Sequence, residues 1–146
     1  MATVFRFRLE QLLGIRRQKE ELAQRDLAEA QTAVAARNQS IHFLLRQQSE
    51  AMDALRGAQE LADIGRLMLA DDYCAALSRL IRREQESLHE LVQVELDRRN
   101  RLIEARKDVR VLERFREREL RTHRQAMDLE ERKFLDEIGQ NLAKGA

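Results

Sequence analysis

The stretch RRNRLIEARKDVRVLERFRERELRTHR, residues 98–124, decides the fold. Leu102, Ala105, Val109 and Leu112 recur at steps of three, four and three, so they form one narrow line along a helix whose other positions are mostly charged. That is the heptad spacing of a coiled coil, and a stripe this narrow is covered by one partner helix; a globular core needs a wider face. The same stretch holds eleven Arg or Lys against five Asp or Glu, a local excess of six positive charges. The seam needs a partner helix, and the charged remainder must be solvated or used.

Composition extends that reading to the whole chain. Among 146 residues there is no proline and there are only five glycines, while charged residues make up 36% and aromatics 4%. Such a chain has almost nothing to stop a helix once it starts, and it reads as all-α and extended. The formal net charge is +1, so the positive stretch is balanced elsewhere; a general polyanion binder is usually more lopsided. A single cysteine, Cys74, cannot form an internal disulfide, and no cleavable leader or run of ~18 apolar residues is present, which reads as a cytosolic chain. Residues 1–17 are basic and amphipathic, but their leucine rhythm continues past Glu20, where a targeting segment would end.

From the amino terminus, with Ala2 or Thr3 as a cap, Phe5, Leu9, Leu12 and Leu13 define a helical face that leaves Phe7 outside and exposed. Leu27, Ala30, Val34, Ile41, Leu44, Ala51, Leu55, Ala58 and Ala62 continue in heptads, with Arg37 and Gln48 at intervening seam positions. Between Lys19 and Leu27 two successive steps of four predict a stutter. Gly65 as a left-handed stop and Asp71 or Asp72 as a cap predict a turn at about residues 64–71. The second helix then reads Tyr73, Leu77, Leu80 with Ile81, Glu84, Leu88, Leu91 with Val92, and Leu96, joins the seam quoted above, and runs on through Leu120, Met127, Phe134 and Ile138. The expected fold is a long antiparallel two-helix coiled-coil hairpin in a single domain, helix one about 3–63 and helix two about 72–142, with the two helices matched in length. The rival is one continuous helix in a parallel dimer.

A two-helix coil encloses no pocket in which several groups could be held away from water, which argues against an enzyme and against a small-molecule substrate or cofactor. Cys74 and His89 lie too far apart on one helix to act as nucleophile and base. Glu119, His123 and Met127 share a face but make an incomplete metal site. The Arg-rich stretch admits two readings. Pairs such as Glu117 with Arg121, Glu113 with Arg116 and Glu104 with Lys107 would simply solubilise the helix, each contributing about 0.2–0.5 kcal/mol. Alternatively the excess charge steers a partner. Acidic residues interrupt the patch and no aromatics interleave to stack on bases, which favours a protein over nucleic acid.

FRFRLEQLL (Phe5 to Leu13), Tyr73 with Leu77, RLIEARKDVRVLERFRER (Arg101 to Arg118) and LDEI (Leu135 to Ile138), in this order and spacing, resemble the FliJ family of flagellar type III export proteins. The resemblance implies a non-enzymatic antiparallel coiled coil, similar to the central stalk of rotary ATPases, that supports export of flagellar subunits and hence motility. It implies two partners, the hexameric export ATPase and the cytoplasmic domain of the export gate, and leaves export chaperones open as a third. It also implies a place in the cytoplasm at the inner face of the inner membrane. The paired ends, represented by Phe5, Phe7, Arg114, Arg118 and Arg121, would lie toward the ATPase, and the tip, represented by Tyr73 and Leu77, toward the gate. A stalk protein of a virulence secretion system is a near neighbour, and the FxFxLxxLL opening favours the flagellar version. A basic helical nucleic-acid binder and a self-assembling scaffold are the readings of other classes.

Overall fold

Heptad spacing without proline gives the elements expected of it. The computed structural model describes residues 3–58 and 64–145, which form two helices, α1 (Glu10–Ala58, 49 residues) and α2 (Ile64–Lys144, 81 residues), with no strand among the described residues. The chain divides into two compact units: residues up to Leu22 with those from Ile103 onward, and Ala23–Leu102. In each unit the two halves run antiparallel, since rising numbers on the amino-terminal side meet falling numbers on α2. In the first unit Glu10 meets Arg116 and Glu20 meets Arg106; in the second Asp26 meets Arg98, Arg37 meets Glu84 and Gln48 meets Ser78. The all-α antiparallel two-helix reading holds.

The seam alternates steps of three and four without interruption. On α1 it is Leu13, Arg16, Glu20, Ala23, Leu27, Ala30, Val34, Arg37, Ile41, Leu44, Gln48, Ala51 and Leu55, all buried or half-buried. The expected stutter near Lys19 is absent: Lys19 is exposed, and half-buried Glu20 holds the seam position, which a search for apolar residues alone passes over. On α2 the seam begins Leu67, Ala70, Cys74, Leu77, Ile81, Glu84 and passes through Glu95 and Arg98 to Leu102 and Val109. Cys74 therefore takes the place expected for Tyr73, and Leu80, Val92 and Leu96 lie outside the seam as exposed side chains.

Three boundaries differ from expectation. Residues 64–71 are helical, Gly65 adopts no positive φ, and Asp71 and Asp72 sit inside α2, where they cap nothing. α1 is described to Ala58 and α2 from Ile64; residues 59–63, with the predicted seam residue Ala62 among them, lie outside the described residues, as does Ala2. At the amino end residues 3–7 are not helical; Thr3 meets His123 and Phe7 meets Phe115, a span of roughly 12 Å along α2 that four residues cover only when nearly extended, and a turn leads into α1 at Glu10, whose amide donates to the Phe7 carbonyl at 3.1 Å. The reason is the alternation Phe5-Arg6-Phe7-Arg8: in an extended chain residues two apart share a face, so both rings reach α2, whereas a helix would point them apart. Finally, the helices are unequal. The covered seam of α2 ends near Met127, and from residue 128 to 145 every position is exposed, including Leu129, Phe134, Leu135, Ile138 and Leu142.

Candidate functional site

The first unit is built on Phe7, Leu13 and Val109, a small buried cluster against which Phe5, Leu9, Leu112 and Phe115 pack. Leu13 is wholly enclosed and Phe7 is 6% exposed, so Phe7 is an inner residue and not the outward one expected. Burying such a ring contributes about 1.5–3 kcal/mol, which is what ties the extended segment to α2. Phe7 meets Phe115 with ring centres 5.8 Å apart, and Phe5 meets His123 at 5.6 Å, both tilted. Arg8 stands 5.6 Å from the Phe115 ring centre and Arg116 5.8 Å from that of Phe5, so two guanidinium groups cover the outer faces of these rings. His123 Nε2 is 3.2 Å from the Thr3 carbonyl, and the Thr3 hydroxyl donates to Met127 Sδ at 3.5 Å. Glu119, His123 and Met127, considered above as metal donors, thus each hold the amino-terminal segment, Glu119 through Arg8 at 3.7 Å. Among the described residues no group of His, Cys, Asp or Glu could hold a metal ion.

Pairing across this unit sorts the charges of the Arg-rich stretch. Arg16, Arg17 and Arg8 take Asp108, Glu113 and Glu119 as partners, and Arg116 and Arg106 pair with Glu10 and Glu20. Of the three local pairs expected, Lys107 with Glu104 forms at 3.4 Å, whereas Glu113 and Arg116 each turn to the amino-terminal segment, and Glu117 and Arg121 stay apart. What remains, apart from Arg124, is a ladder: the guanidinium groups of Arg110, Arg114, Arg118 and Arg121 are exposed and have no carboxylate partner among the described residues. Steps of four, four and three keep them on one side of α2 over roughly 16 Å, opposite the seam positions Val109, Leu112 and Arg116. Arg110 belongs to this set and was missed in the sequence, because only tertiary pairing assigns the neighbouring carboxylates Asp108 and Glu113 to Arg16 and Arg17. An open cleft of about 650 Å³ beside the ladder is lined by Val4, Phe5, Arg6 and Arg118 among others.

In the second unit Tyr73 and Leu77 separate. Tyr73 is 51% exposed and Leu77 is buried in the seam, so the two do not form one outward patch. Tyr73 instead shares its side of α2 with exposed Leu69 and Leu80, at spacings of four and seven. The signal for that stripe is in the sequence, one position out of phase with the seam, and it becomes readable once Cys74 is known to be the buried residue.

Comparison with known families decides where this architecture belongs. A family model described as flagellar FliJ protein matches residues 5–146, nearly the whole chain. The chain belongs to the FliJ family. No curated protein and no solved structure matches it. As a FliJ-family chain it has a role in flagellar export, as a non-catalytic component of that apparatus. No helix among its described residues is long and apolar enough to cross a membrane.

Proposed function

We propose that this FliJ-family chain is a stalk that engages the hexameric export ATPase through its first unit and the cytoplasmic domain of the export gate through the start of α2. The observation that carries the reading is the arginine ladder, left without carboxylate partners among the described residues on a unit in which five other arginines pair with carboxylates between the amino-terminal side and α2. A stripe of exposed guanidinium groups at regular spacing is complementary to an acidic protein surface, and it raises the rate of encounter as well as fixing orientation. Arg114, Arg118 and Arg121 make the contact, Phe5 flanks it, and Phe7 supports it from beneath. At the other surface Tyr73 reaches outward and Leu77 holds its helix in place. In this reading the protein works in the cytoplasm against the inner face of the inner membrane and regulates the ATPase without itself hydrolysing ATP; export chaperones are candidate further partners.

The test is reconstitution. The purified chain should stimulate ATP hydrolysis by the export ATPase and bind the isolated gate domain, and cells lacking it should export flagellar subunits and swim poorly. Absence of binding to the ATPase by a folded chain would overturn the reading, and would turn attention to the virulence-type stalk, nucleic-acid and scaffold alternatives.

A further inference from the structure

We propose that residues 3–6 form a hinged flap that opens about Phe7 and, when closed, shields the α2 face around His123 and Met127 from the partner that engages this unit. The segment is held very unevenly along its length. At the Phe7 end the ring is buried among Leu13, Val109 and Phe115, and the next residue, Arg8, is paired with Glu119. Toward Thr3 the fastening is thinner: Phe5 is only half-buried, Val4 is 82% exposed, and the contacts to α2 are the Phe5–His123 ring pair, the Arg116 guanidinium over the Phe5 ring, the His123–Thr3 hydrogen bond and the Thr3–Met127 contact. Among the described residues no ladder of backbone hydrogen bonds holds the segment, since the carbonyls of Phe7 and Leu9 accept from Glu10 and Leu13 at the start of α1.

Two further features bias the flap toward release. Arg6 and Arg118 line the same open cleft and neither guanidinium has a carboxylate partner among the described residues, because Glu119, the acid lining that cleft, is taken by Arg8. The cleft therefore sets like charges across the flap, a repulsion that salt screens. Secondly, the covered seam stops where the flap stops. Met127 under the flap, then exposed Phe134 and Ile138, follow at steps of seven and four on one side of α2, so opening lengthens an apolar stripe that is already bare beyond it. Segments with few buried contacts and no backbone pairing open at low cost, and an open fraction on the order of a few per cent is enough for a partner to select.

The inference that the flap shields a partner site rests on the function proposed above; the opening itself does not, and the experiment separates them. In protein labelled at its three histidines, the His123 ring signals should show relaxation dispersion while His42 and His89 do not. The shift difference extracted should match the change that Phe5→Ala produces at His123. A His123 signal with no dispersion that keeps the shift imposed by Phe5 from low to high salt would overturn the flap. In a Cys74→Ala background, Thr3→Cys with Met127→Cys should form a disulfide that closes the flap, and ATPase binding should fall about tenfold on oxidation and return on reduction. Equal binding by both forms would overturn the shielding role. Loss of binding in both forms, with dispersion intact, would reject the ATPase as partner and leave the flap standing.

Discussion

Arg37 Nη1 donates to Glu84 Oε2 at 2.6 Å across the seam of the second unit, one heptad step from the buried Ile41 and Ile81. Both side chains are largely withdrawn from solvent. In the rival parallel dimer the same seam would set Arg37 against Arg37 and Glu84 against Glu84, so this pair disfavours the dimer as well as joining the hairpin. Removing one partner by Glu84→Ala should cost about 1–2 kcal/mol, less than for a fully buried pair because some solvent reaches it. Replacing both with Leu should restore or raise the melting temperature while letting dimers form. Urea titration and sedimentation at several concentrations read the two effects separately.

Phe5 and Phe7 are two residues apart on one side of an extended segment but differ in burial. Phe7→Ala opens a cavity beside Leu13 and Val109 and should cost about 3 kcal/mol, whereas Phe5→Ala, truncating a half-exposed ring, should cost about 1 kcal/mol. Equal losses in thermal unfolding would mean that the segment is held as one piece.

Charge reversal of Arg114, Arg118 and Arg121 removes no contact within the unit. It should leave stability within about 0.5 kcal/mol while sharply weakening ATPase stimulation. Reversal of Arg116, which faces Glu10, should instead be felt in the melting temperature. The wild-type interaction should weaken as salt rises, and a salt-independent affinity would show that the ladder is only solvated surface.

Tyr73 and Leu77 should behave oppositely when replaced by Ala one at a time. Tyr73→Ala should lose gate binding with little change in unfolding, while Leu77→Ala should cost about 2–4 kcal/mol because it empties a seam position. Calorimetric titration against the gate domain, beside melting curves of each variant, distinguishes them.

Among the described residues, truncation after Leu129 removes only ones with no seam partner. The melting temperature should hardly move, although circular dichroism will lose the signal of the removed turns. A large drop would show that the end of α2 is covered in solution.

Much of this protein is legible in the sequence because heptad periodicity is a local property. Steps of three and four at Leu102, Ala105, Val109 and Leu112, with no proline to interrupt them, are enough to dictate long helices and a one-helix-wide seam. Periodicity of apolar residues misleads where the seam itself is polar or small. Glu20, Cys74 and Glu95 occupy seam positions where the spacing of apolar residues points instead to neighbouring Lys19, Tyr73 and Leu96, and Arg98 occupies one where it points to no residue. Only the partner helix resolves this, because an Arg or Glu is acceptable in a seam when a counter-charge or carbonyl faces it, as Glu84 faces Arg37 and the Asp26 carbonyl faces Arg98. The same holds for the arginine ladder. An excess of six charges can be counted along the chain, but which carboxylates are taken by Arg8, Arg16 and Arg17, and so which arginines are left free on the opposite side of α2, is a matter of contacts about a hundred residues apart.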